Sequence, residues 1–188
     1  MQNLYEEIKN FQSNDKQEEA DRSVMLQEIE QQGEQLLDRE NEAHFTSSAF
    51  IVNANRDKVL MVHHNLRDAW SWPGGHADGM HDLEANARKE IWEETGIKEL
   101  TLVGGSIASL DLFHVPAHMK HGRLVEAHRH FSVAYIYEAD ERQPLRVCPE
   151  ENSQVEWLDA DRIREPLFSR EDVRLYGKLL ERSRSRRL

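Results

Sequence analysis

Apolar residues in the first forty positions recur at loose helical spacing: Leu4, Ile8 and Phe11, then Met25, Ile29, Leu36 and Leu37. Glu and Gln dominate the positions between them and no proline intervenes, which predicts two helices broken near Ser13-Asn14-Asp15. Their apolar faces are too thin to form a core alone. They should therefore pack on the main domain or on a second copy of the chain, as a homodimer. From His44 the pattern becomes alternating and β-branched: HFTSSAFIVN, the polar NANRD, then KVLMVHH, a hairpin signal. A helix is predicted from about Leu83 to Thr95, strands around 99–113 and 129–138, another strand at QVEWL, and a last helix over about 169–183. Strands in hairpins and around a central helix predict an α/β layered domain with a mixed sheet and helices on its faces. The division expected is a helical extension over 1–42 and one main domain over 43–188.

Charge narrows the partners. The 188 residues carry a formal net charge of −11, which disfavours a nucleic-acid backbone as the main partner. The terminal RSRSRRL is basic, and a short Arg/Ser terminus reads as a solvated, disordered tail. Cys148 is the single cysteine, so no intrachain disulfide can form and nothing argues for an oxidising compartment. The first 22 residues lack a basic region followed by an apolar run, and no stretch approaches the ~20 apolar residues of a membrane span. The expectation is a cytoplasmic protein with no membrane partner.

The stretch SWPGGHADGMHDLEANARKEIWEETGI, residues 71–97, carries the chemistry. Asp82 is placed to cap a helix from Leu83, and Gly96 to end it in a left-handed turn. At about 100° per residue, Glu90, Glu93 and Glu94 share one compact face beside the apolar stripe of Leu83, Ala87 and Ile91. Three carboxylates so close repel unless something positive lies among them. An acidic helix face is often only a wet surface. Here, however, it is coupled to the Trp72-Pro73-Gly74-Gly75 turn, where a backbone carbonyl could join the carboxylates around a hard cation. Oxygen ligation of that kind suits Mg²⁺ or Mn²⁺, which take substrate phosphates as further ligands.

The segment GGHADGMHDLEANARKEIWEETGI resembles the signature of the Nudix hydrolases, G-x5-E-x7-R-E-U-x-E-E-x-G-U, where U is aliphatic. Gly75, Glu90, Ile91, Glu93, Glu94, Gly96 and Ile97 match, while His81 stands in place of Glu and Lys89 in place of Arg. Over about residues 44–165 the resemblance implies an α/β/α sandwich that hydrolyses a nucleoside diphosphate linked to another group, or a similar small-molecule diphosphate. By the same resemblance the Gly74 carbonyl, Glu90, Glu93 and Glu94 would hold Mg²⁺ or Mn²⁺, and one of these carboxylates or a later one would activate water. Of Glu150, Glu151 and Glu156, Glu151 is favoured as the later carboxylate because it sits in a loop before QVEW. Lys89 keeps the positive charge of the family Arg but not its fork, so the loop should be held differently.

The ten histidines show no spacing typical of zinc sites, neither with cysteine partners nor in an H-E-x-x-H frame. They are read instead as pocket residues, with His76 lining the metal loop and His128 or His130 shaping the substrate site. Trp70 and Trp72 are candidates to stack on substrate or to serve as core. Two other activities remain in view. One is a non-catalytic, nucleotide-sensing module of the same fold, a reading that leaves the three clustered carboxylates without a purpose. The other is the related isoprenoid diphosphate isomerase, whose chemistry wants a cysteine near the metal, whereas Cys148 is far along the chain.

Overall fold

A computed structural model describes residues 1–13, 15–120 and 122–185. Two helices, α1 (Gln2–Asn10) and α2 (Lys16–Gln32), precede the sheet, and Asp15 caps α2 by accepting from the Gln17 and Glu18 amides. The predicted break between them lies where expected, although Asn14 itself is outside the described residues. The strands are β1 (Ala43–Val52), β2 (Lys58–His64), β3 (Ala69–Ser71), β4 (Gly74–His76), β5 (Leu100–Leu102), β6 (Ser109–Val115), β7 (His118–Lys120), β8 (Arg123–Val125), β9 (His128–Ala139) and β10 (Asn152–Asp159). Helix α3 (Leu83–Thr95) follows β4, and α4 (Arg170–Ser185) ends the described chain.

The main sheet runs β10-β2-β1-β9-β5, with β3 on β2, β4 on β1 and β6 on β9. It is mixed: β1 and β9 are parallel, and the other pairs are antiparallel. Strand alternation sorts side chains into two cores. Phe45, Ala49, Ile51, Phe131, Val133 and Tyr135 pack with Leu83, Ala87 and Ile91 of α3. Phe50, Met61 and Ile136 pack with Tyr176 and Leu179 of α4 on the opposite face. The result is the α/β/α arrangement with a mixed sheet.

The N-terminal helices bury Leu4, Ile8, Met25 and Ile29 in the α3-side core of the same chain. Their thin faces thus find the partner surface that they need within one chain. A buried ion network fixes α2 against α4 and β6: Glu18, 1% exposed, receives Nη1 and Nη2 of Arg182 at 2.8 and 2.7 Å and Nζ of Lys178 at 3.2 Å. Burial opposes ionisation of Glu18, yet the hydrogen bonds from Arg182 and Ser13 and the neighbouring cations hold its pKa down to about 2.

This network corrects one expectation. The start of the basic terminus is not a solvated tail: Arg182 reaches Glu18, Ser183 is buried, and Arg184 donates to the Arg56 carbonyl. Residues 186–188 lie outside the described chain. Among the described residues, no helix is long and apolar enough to cross a membrane.

Candidate active site

Helix α3 begins and ends where the sequence predicts. Asp82 Oδ1 accepts from the Ala85 amide at 2.9 Å, and Gly96, at φ 79°, turns the chain out while its amide bonds the Trp92 carbonyl. The helix lies beside β4, which pairs Ser48 with Gly74, Ser47 with Gly75 and Thr46 with His76. A side chain at Gly75 would start 2.5 Å from the Glu90 carboxyl carbon, so glycine is what allows that carboxylate to approach the strand. Gly74 donates its amide to Glu94 Oε1 at 2.8 Å.

Glu90 and Glu94 are 8% and 2% exposed. From the loop before β10, Glu151 joins them, and carboxylate oxygens of Glu90, Glu94 and Glu151 all lie within 4.8 Å of one another. Burial pushes the Glu94 pKa up to about 8, and the charges of Glu151 and Glu90 add to that effect against the Gly74 hydrogen bond. Burial also raises that of Glu90, partly countered by Lys89. Together these carboxylates could hold a cation. Oxygens held ~2.1 Å from a Mg²⁺ ion stand ~3 to ~4.2 Å apart, so the donor set and its spacing fit a hard divalent ion.

Glu93 is placed differently from its neighbours. It is half-buried at the helix rim, and Lys89 Nζ bridges it at 2.9 Å to Glu90 at 3.1 Å. Of the later carboxylates, Glu151 is the one brought to the cluster. Glu150 accepts from the Cys148 thiol, and Glu156 is exposed on β10 opposite Met61. Asn152 ties the Glu151 loop to α3 by donating to the Glu94 carbonyl at 3.1 Å.

The loop between β4 and α3 is held by the N-terminal segment. Arg39 forks onto Asp78, with Nε 2.6 Å from Oδ1, and the Gly79 amide donates to the Leu37 carbonyl at 2.9 Å. His81, in place of the signature Glu, meets the N-terminal amine at 2.8 Å. Asn86, buried in α3, donates to the His76 carbonyl and to Ser47 Oγ. The Arg39–Asp78 fork supplies a bidentate clamp that Lys89 cannot. Neither Arg39 nor Asn86 was singled out from sequence; a lone Arg beyond the motif carries no local signal.

Trp70, 8% exposed, sits in the α4-side core with the His63 ring edge-on at 5.3 Å. Trp72 is half-buried against Tyr176 at 5.5 Å. His76 and His130 do come together, at 5.1 Å between ring centres. They are joined by His44, which the sequence reading marked only as a strand start. The structure assembles these residues from three strands: His44 lies beside His130 in the parallel β1–β9 register, and His76 opposite Thr46. Burial and the surrounding imidazoles depress the His130 pKa to about 3, keeping that ring neutral.

Comparison with known proteins accords with this geometry. A search of curated protein sequences found no match. Among solved structures, the E. coli dihydroneopterin triphosphate pyrophosphohydrolase superposes with a TM-score of 0.60 at 17% identity, covering 78% of this chain and 99% of its own. A C. elegans Ap4A hydrolase binary complex gives 0.57 at 15%, covering 75% and 98%. RenU, a Nudix hydrolase from M. smegmatis, gives 0.57 at 15%, covering 77% and 88%. At such identities the likeness establishes the fold. The sequence model of the NUDIX domain matches residues 42–178, and the chain therefore belongs to the NUDIX domain family.

Proposed function

We propose that this enzyme is a Mg²⁺- or Mn²⁺-dependent hydrolase of a phosphoanhydride bond in a nucleoside diphosphate linked to another group, or in a similar small diphosphate. The observation that carries the reading is the convergence of Glu90, Glu94 and Glu151 beside the Gly74-Gly75 strand. Glu90, Glu94 and Glu151 would hold the ion, with the Gly74 carbonyl and Glu93 as further oxygen donors at the rim. Bound there, the ion neutralises charge on phosphoryl oxygens and lowers the pKa of water.

The chain's own groups then divide the remaining work. Glu94, buried and hydrogen-bonded to Gly74, fixes the cluster to the strand. Lys89 balances Glu90 and Glu93. Glu151, exposed on its loop, is the group placed to take the proton of the attacking water. Trp72, half-open beside the turn, is the better placed of the two tryptophans to wall the substrate. The neighbours named for dihydroneopterin triphosphate and for Ap4A span a pteridine and a dinucleotide, so the substrate panel must be broad. Purified protein with Mg²⁺ is incubated with nucleotides, sugar nucleotides, dinucleotides and non-nucleotide diphosphates beside Glu94→Gln, and products are identified by mass. Cleavage of a P–O–P bond by the wild type alone is expected. Failure to cleave any compound, with Mg²⁺ binding intact, would replace this reading by a nucleotide-sensing role.

A further inference from the structure

On the strand face turned away from Gly75's contact with Glu90, four imidazoles crowd together. Ring centres of His44 and His76 are 5.1 Å apart, of His44 and His130 4.9 Å, of His44 and His128 5.2 Å, and of His128 and His130 4.9 Å. One nitrogen from each of His44, His76 and His130 lies within 4.8 Å of the others. None of the carboxylates of the hydrolytic cluster is among them.

The tautomers are set by neighbouring carbonyls. His44 Nδ1 is 2.8 Å from the Asn41 carbonyl, which can only accept, so that nitrogen carries the proton and Nε2 presents a lone pair. His44 is 1% exposed, and its Nε2 has no hydrogen-bond partner among the described residues. A buried acceptor left so is costly in a packed core. His128 repeats the arrangement, with Nδ1 2.8 Å from the Glu126 carbonyl and Nε2 3.1 Å from His130 Nε2. Two imidazole nitrogens on a tetrahedral ion, each ~2.0 to ~2.1 Å away, stand ~3.3 Å apart, so the observed separation needs little adjustment. A carbonyl accepting from the far nitrogen is also the support that metal-bound imidazoles usually have.

We propose that His44, His76 and His130, with His128 alongside as a fourth donor, bind a divalent transition-metal ion of the Zn²⁺ class at a site separate from the carboxylate cluster. All-nitrogen ligation suits Zn²⁺, Co²⁺, Ni²⁺ or Cu²⁺ and is a poor match for Mg²⁺. The ion would fasten β1, β4 and β9 together immediately beside the Gly74-Gly75 segment, and the role argued for it is to hold that segment rigid. The sequence spacing concealed the site because its donors, His44, His76 and His130, come from three separate strands, β1, β4 and β9.

The test uses the full chain, stripped with a chelator and titrated with Zn²⁺ alone and then in excess Mg²⁺, with Co²⁺ as a spectroscopic substitute. One Zn²⁺ per chain is expected, undisturbed by Mg²⁺, with a tetrahedral Co²⁺ absorption band. His130→Gln and His76→Gln, at partly exposed positions, should each weaken Zn²⁺ binding by about 100-fold or more, exceeding the usual loss of a supporting residue. Glu94→Gln should leave Zn²⁺ affinity within about twofold, since no carboxylate is a donor. Circular dichroism verifies that each variant folds, and if one does not, the other carries the comparison. Absence of Zn²⁺ binding by folded wild type overturns the proposal. So does binding that survives both histidine substitutions, or binding lost in Glu94→Gln but kept in the histidine variants.

Discussion

At Glu94 burial, protonation and the proposed metal ion meet in one residue. Its pKa is raised from the ordinary carboxylate range to about 8, with burial as the main cause. For an acid shifted upward, the contribution to stability is complete below the unfolded value near 4.5 and is lost as pH rises through about 8. The proposed divalent ion would have to displace that proton. Mg²⁺ affinity should therefore climb with pH, by up to about tenfold per unit, and level off above about pH 8. Mg²⁺-induced shifts in melting temperature across this range check it, and Glu94→Gln should flatten the profile. A pH-independent Mg²⁺ effect would contradict the burial argument. At Glu151 the expectation is kinetic: Glu151→Gln should lower kcat by about 10²- to 10⁴-fold. Its position is exposed, so stability should move by less than about 0.5 kcal/mol. Denaturant unfolding beside steady-state kinetics separates the two effects.

Among the elements, α3 was the most legible, because its cap Asp82, its terminator Gly96 and its apolar stripe are all local signals. The hairpin β1–β2 was also readable, though the two strands pair only at Ile51–Leu60 and Val52–Val59 before β3 and β4 intervene. What the sequence concealed was non-local. The parallel pairing of β1 with β9 sets His44 beside His130, and no pattern within either strand announces that register. The turn-and-helix half of the candidate site was visible, and Glu151 was favoured among the three carboxylates of its segment only by its loop position before QVEW. The Arg39 clamp was not visible, for the same reason. Glu18 in α2 is a further example: it reads as one more acid in a Glu/Gln-rich helix, yet it is the buried anion joining α2 to Arg182 and Lys178 of α4. Glu18→Ala should cost roughly 3–5 kcal/mol, since it leaves Arg182 without its carboxylate in a mostly buried setting, while Lys178 keeps Asp111 at 2.7 Å. Because the folded pKa is depressed to about 2, the ionised Glu18 stabilises the protein above about pH 4.5, and this is lost as pH falls through about 2. Acid denaturation of Glu18→Gln should lack that part of the slope. An unchanged acid profile would show that the network contributes nothing.

Across the whole molecule, the first 42 residues act as part of the core and as a brace for the β4–α3 loop, through Leu37, Arg39 and the N-terminal amine. Deleting them uncovers the α3-side apolar surface that Leu4, Ile8, Met25 and Ile29 now cover. The shortened chain should lose solubility and cooperative unfolding; a soluble, cooperatively unfolding fragment would instead mark residues 1–42 as a separable extension. One hard divalent ion is proposed to be held where α3, β4 and the β10 loop meet. The most direct measurement is the anomalous diffraction of Mn²⁺ in crystals of the full chain. A peak is expected within about 2.2 Å of carboxylate oxygens of Glu90, Glu94 and Glu151. Mn²⁺ found elsewhere, with Glu90 and Glu94 free of it, would overturn this placement of the ion.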